Sequence, residues 1–106
     1  MSVAPSPKDP LTSKQRKQLR GLAHDLAHLV TVGKEGITPT VVAALVEALL
    51  QHELVKVRVL EAAPIDRKEA APILAEATGS HDVGTVGRIV ILYRRHPKAP
   101  KVPLKP

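Results

Sequence analysis

Between residues 28 and 60 the apolar side chains change their spacing twice, and that switch restricts the fold more than any other feature of the chain. "HLVTV" (28–32) is rich in β-branched residues and predicts a short strand. "TPTVVAALVEALLQHEL" then sets Val41, Leu45 and Ala48, with Val42 and Leu49, at helical spacing. Thr38 is placed to cap that helix, and Pro39 takes its first position, where a missing N–H costs nothing. "LVKVRVL" alternates, with Val55, Val57 and Val59 on one side and Lys56 and Arg58 on the other. Alternation of that kind predicts a strand with one buried face and one wet, basic face. A strand–helix–strand run commits the chain to α/β packing.

The flanking segments extend the pattern. "TSKQ" places Thr12 and Gln15 at the spacing of a reciprocal cap. Behind it, Leu19, Leu22, Ala23 and Leu26 share one helix side, while Arg16, Lys17 and Arg20 occupy a neighbouring side with His24 below them. Gly21 is expected to mark close packing. A third helix is predicted from Asp66 to Ala77, with Asp66 and Glu69 in capping spacing and Gly79 just past its end. Pro72 removes a hydrogen bond inside it, so a kink or a later start is expected. A short strand over Val83 to Val86, a turn at Gly87 and a strand over Arg88 to Arg94 complete the chain. The predicted architecture is a compact single α/β domain of order α-β-α-β-α-β-β. Its four-stranded mixed sheet carries helices mainly on one face. Tyr93 is the only aromatic residue, so Leu, Val, Ile and Ala must fill the core.

Residues 1–10 hold three prolines and read as a disordered lead; the domain proper spans 11–96. Residues 97–106 interleave Pro97, Pro100, Pro103 and Pro106 with Lys98, Lys101 and Lys105, which favours an extended, water-exposed tail. Such a tail suits a basic arm for a phosphate backbone and a plain solubilising tail equally well.

The chain has no cysteine, hence no disulfide or thiolate metal site, which fits a reducing compartment. Its start lacks the basic and apolar regions of a signal peptide, and no apolar run approaches the ~20 residues of a membrane span. A soluble, cytoplasmic protein is expected. His24 and His28 are four apart, yet "HDLAH" lacks the glutamate of a zinc-protease helix and no third ligand is evident. His52–Glu53 and His81–Asp82 are adjacent pairs, whose side chains point apart. Ser2, Ser6, Ser13 and Ser80 sit in no nucleophile elbow. No enzyme activity, cofactor, metal or small-molecule substrate is expected.

Sixteen Lys and Arg against ten Asp and Glu leave a formal charge of +6, which points to a polyanionic partner. The loop Gly33-Lys34-Glu35-Gly36, between the first strand and the second helix, is the best-placed candidate. Glycines let backbone approach a ligand, the following helix start favours anions, and Lys34 adds a full charge. It is not a Walker loop, which needs four residues between its glycines, nor a dinucleotide fingerprint. Taken alone, Gly-x-x-Gly reads as an ordinary turn, and Glu35 opposes phosphate unless it points away.

In this order, "LTSKQRKQLRGLAH", "VGKEGIT", "ALVEALLQHELVKVRV" and "VGRIVILYRR" resemble the CRM domain (chloroplast RNA splicing and ribosome maturation), in particular its single-domain bacterial YhbY-type members. The resemblance spans about Leu11 to His96. It implies an RNA-binding module whose sheet is similar to the C-terminal domain of translation initiation factor three and whose Gly-x-x-Gly loop is similar to that of KH domains. It further implies association with large-subunit ribosomal precursors, so the expected partner is ribosomal RNA and the expected role is assistance in ribosome assembly. The residues carried over are Gly33, Lys34, Glu35 and Gly36 in the loop, Lys56 and Arg58 on the sheet, and Arg88 and Arg94 on the last strand. Arg16, Lys17 and Arg20 join them from the helix reading. A DNA-binding module and a protein-interaction module using the same basic surface stay open as alternatives.

Overall fold

The computed structural model describes residues 10–27, 29–98, 100 and 102–103. The elements are α1 (Ser13–Ala23), β1 (Val30–Val32), α2 (Pro39–His52), β2 (Leu54–Val59), α3 (Arg67–Thr78), β3 (His81–Val86) and β4 (Ile89–Tyr93), in the order the sequence predicts. His28, placed in the first strand by the sequence reading, lies outside the described residues, as does the lead up to residue 9.

Local chemistry accounts for the helix starts. The Thr12 hydroxyl accepts the Gln15 N–H at 3.0 Å while the Gln15 side-chain oxygen accepts the Thr12 N–H at 3.0 Å, closing the reciprocal cap. Thr38 accepts the Val41 N–H at 3.1 Å, with Pro39 at the first helical position. Asp66 accepts the Glu69 N–H at 2.9 Å, so α3 begins where its cap lies, and the helix continues through Pro72 to Thr78. The later start expected from Pro72 does not occur. The lost bond is tolerated because Leu74, Ala70 and Ala71 on the same helix are buried against the sheet. Gly79 ends α3 in the left-handed region at φ 64°.

The sheet has strand order β1-β2-β4-β3. β1 runs parallel to β2, as a helical crossover requires, and β4 pairs antiparallel with both β2 and β3. α2 and α3 cover one face. There Val30, Val32, Val55, Val57, Val59, Val90 and Leu92 pack with Leu45, Leu49 and Leu74. α1 lies on the other face, where Leu19 and Ala23 pack with Leu54, Val83, Ile91 and Tyr93.

This second cluster changes the reading of β2. Leu54 is buried, Lys56 half-buried and Arg58 exposed, so the face expected to be wet is open only at its far end. Gly21 also differs from expectation: a side chain there would meet nothing within 4 Å. Among the described residues no helix is long and apolar enough to cross a membrane.

Candidate nucleic-acid interface

The end of the sheet where β1 and β2 finish gathers three connections. β1 leads into the Gly33–Gly36 turn, β2 leads into the segment 60–66, and the β3–β4 hairpin turns there at Gly87–Arg88. The Gly33–Gly36 turn is closed by a Gly36 N–H donating to the Gly33 carbonyl at 2.9 Å, which pushes Lys34 and Glu35 out to solvent at the tip.

Its two glycines are not equivalent. Gly36 has φ +75° and is buried, and a Cβ there would lie 3.1 Å from Pro64 Cγ. Gly33 has no positive φ, and its Cβ would meet only Leu60 Cδ1 at 3.9 Å. The glycine requirement at Gly36 is therefore imposed by the neighbouring 60–66 segment and by backbone geometry. The helix start behind the turn is also partly occupied. Thr38 takes the Val41 N–H through its hydroxyl and the Val42 N–H through its carbonyl, and Pro39 has none to offer. Of the first three helical positions, the Thr40 N–H alone is left for an anion, together with the helix dipole.

Beside the turn, the part of the sheet that α1 leaves open forms a row across all four strands: Thr31, Arg58, Ile89 and Val86. Thr31 and Arg58 are exposed, and Val86 is 60% exposed despite being apolar. Lys56 stands one row nearer to α1, opposite Ile91. Arg20 of α1 and His24, just past its end, line the same depression as Lys56, Ile89 and Val86. Arg20 lies across the sheet: a Cβ on Gly84 would sit 3.6 Å from its Cδ. Gly84, at φ 148° beside the irregularity in β3, makes room for that side chain.

Arg16, one turn before Arg20, is exposed, and Lys17 borders a hollow on the side of α1 nearer Pro103. α1 carries Lys14, Arg16, Lys17 and Arg20 and no acidic residue. Arg88 reaches Glu61 at 3.7 Å, both side chains well exposed, a contact water screens strongly.

The structure thus brings Arg20 and Lys56 to one depression, sets Arg58 and Arg88 at the end of the sheet where the turn lies, and adds Arg16 and Lys17 along α1. Arg94 is set apart. It follows the opposite end of β4, is half-buried, and its guanidinium donates to the Thr78 carbonyl at 3.2 Å, at the C-terminus of α3. Sequence reasoning missed Glu53. This residue joins α2 to β2 with φ +62°, is fully buried, and accepts backbone N–H groups from His96 and Val102. Nothing local distinguishes it from an ordinary helix-end glutamate. Among the described residues no group of three His, Cys, Asp or Glu is disposed to hold a metal.

Comparison with known proteins follows the same outline. A Bacillus subtilis protein named a probable RNA-binding protein, YqeI, is 37% identical over 84 residues, covering 79% of this chain and 88% of the relative. A Haemophilus influenzae protein named RNA-binding protein is 38% identical over 84 residues, 79% of this chain and 85% of its own. The solution structure of Staphylococcus aureus SAV1595 superposes with a TM-score of 0.77 at 36% identity, covering 89% of this chain and 98% of that one. The CRS1/YhbY (CRM) domain model matches residues 11–94, and the chain belongs to that family.

Proposed function

We propose that this protein binds RNA without catalysing a reaction, and that its target in the cytoplasm is ribosomal RNA in large-subunit precursors, whose assembly it assists. The observation that carries the reading is the acid-free, four-cation helix α1 laid beside the open sheet row, with Lys34 at the tip of the adjoining turn. Relatives named for RNA binding support the choice of polyanion. In mechanism, the turn Gly33–Gly36 and the start of α2 hold one stretch of sugar-phosphate backbone. Arg16, Lys17, Arg20, Lys56, Arg58 and Arg88 extend the contact, and Ile89 and Val86 offer an apolar shelf to sugars. Tyr93, the one residue of the Phe, Tyr and Trp class, is buried, so bases have no exposed ring of that class to stack on. Recognition therefore rests on the shape and charge of structured RNA.

The test is the salt dependence of affinity for a fragment of large-subunit ribosomal RNA. Each phosphate contact contributes about 0.7–0.9 to the slope of log K against log salt. Lys34→Asp is expected to weaken binding by roughly 3- to 10-fold and lower that slope by about 1, with an unchanged melting temperature. A salt-insensitive affinity, or unchanged binding by the folded variant, refutes the mechanism. Equal affinity for duplex DNA refutes the choice of RNA. Co-sedimentation with large-subunit particles, abolished by nuclease, is expected in cell lysates.

A further inference from the structure

The residues after β4 are tied to the domain by one buried side chain. Glu53 Oε2 accepts the His96 N–H at 2.8 Å, and its Oε1 accepts the Val102 N–H at 2.7 Å. Its backbone carbonyl accepts the Arg94 N–H at 2.8 Å. The residue is fully buried, and its φ of +62° belongs to a region that residues with a side chain rarely adopt. A buried carboxylate on a disfavoured backbone persists only where its surroundings hold it, and the His96 and Val102 N–H groups are among the contacts that do so here.

Val102 is half-buried against the cluster of Leu11, Leu19, Ala23 and Leu54. Pro103 then lies alongside α1, bordering the same hollow as Lys14, Lys17, Gly21 and Leu22. His96 and Val102 are thus both tied to one carboxylate. Between the two ties the sequence carries Lys98 and Lys101, and no acid occurs from Arg94 to the last residue. Lys98 is exposed.

We propose that the chain tied to the Glu53 carboxylate at His96 and Val102, with Pro103 beside the cationic side of α1, serves as an RNA-contacting strap, and that Glu53 is its positioning residue. The ligand is the phosphate backbone of the RNA bound by the turn and sheet, so the proposal rests on the RNA-binding reading above. The physical gain is preorganisation. A lysine on a closed loop loses less freedom on meeting phosphate than one on a free tail. The strap also lengthens the basic surface along α1, past Lys14 and Lys17.

The experiment measures the affinity of the full chain for a fluorescein-labelled RNA hairpin of mixed sequence across a salt series. Three variants are compared: Val102→Pro, which removes one donor at the periphery; Glu53→Gln, which weakens both ties; and Lys98→Glu with Lys101→Glu. Trypsin cleavage after Lys98 reports strap release, and far-UV circular dichroism reports folding. Val102→Pro is expected to stay folded, to be cleaved faster after Lys98, and to bind roughly fivefold more weakly with a salt slope lower by about 1–2. Combined with the lysine reversals, it is expected to cost less than the sum of the two effects, because free and reversed lysines lose the same contacts. Should Glu53→Gln unfold, Val102→Pro decides. Faster cleavage with unchanged affinity and slope overturns the strap, as does full additivity. A wild-type chain that binds no hairpin overturns the RNA reading and the strap with it, whereas loss confined to the variants supports both.

Discussion

Raising the pH should destabilise this protein through its one tyrosine. Tyr93 is fully buried, with its ring stacked on His81 at a centroid distance of 6.2 Å, and its hydroxyl has no hydrogen-bond partner among the described residues. Burial pushes its pKa from 10.0 up to about 12; the neighbouring Glu53 carboxylate adds to the rise and Arg95 opposes it. The sign follows from proton counting. Below pH 10 both folded and unfolded chains keep the phenolic proton, and the contribution to stability is complete. Between pH 10 and about 12 the unfolded chain gives the proton up and the folded chain does not, so stability falls by ~1.4 kcal/mol per pH unit. The total loss is about 3 kcal/mol, a large part of the stability of a small domain. Phenolate absorbance reads the titration without ambiguity, because there is no second tyrosine and no tryptophan. Urea midpoints below pH 10 and near pH 12 read the stability. Tyr93→Phe deletes a buried, unpartnered hydroxyl; it should match or exceed the wild type at neutral pH and lack its share of the alkaline fall. A folded protein whose tyrosine titrates near 10, or a Phe variant that loses as much stability as the wild type, would refute this account of the α1 side of the core.

Other outcomes follow from the backbone. Gly36→Ala should destabilise by roughly 1–3 kcal/mol, since it combines a left-handed φ with a 3.1 Å approach to Pro64, while Gly33→Ala should cost well under 1 kcal/mol. Paired urea titrations separate the two, and equal costs would contradict the turn geometry. Pro72→Ala, at an exposed position inside α3, should restore a helical hydrogen bond and raise the stability by about 1–3 kcal/mol, read as a higher urea midpoint.

What sequence alone determined here was the set of elements and their starts. The caps at Thr12, Thr38 and Asp66, the stop at Gly79 and the alternation of β2 are settled by groups within four residues of one another. The family's motif order carried the topology further than periodicity could. Only the tertiary structure decided which of these features face outward together. α1 crosses to the face opposite α2 and α3, which buries Leu54, half-covers Lys56 and leaves Arg58 open, although all three share one strand face. Arg94 and Arg88, six residues apart, are sent to opposite ends of β4, one to the end of α3 and the other to the turn cluster. Glu53, an unremarkable acid at a helix end, becomes a buried acceptor for residues 43 and 49 positions away. Hydrogen bonds within a turn are encoded where they form. Coverage of a face and closure of a long loop depend on surfaces that meet only after the chain has folded.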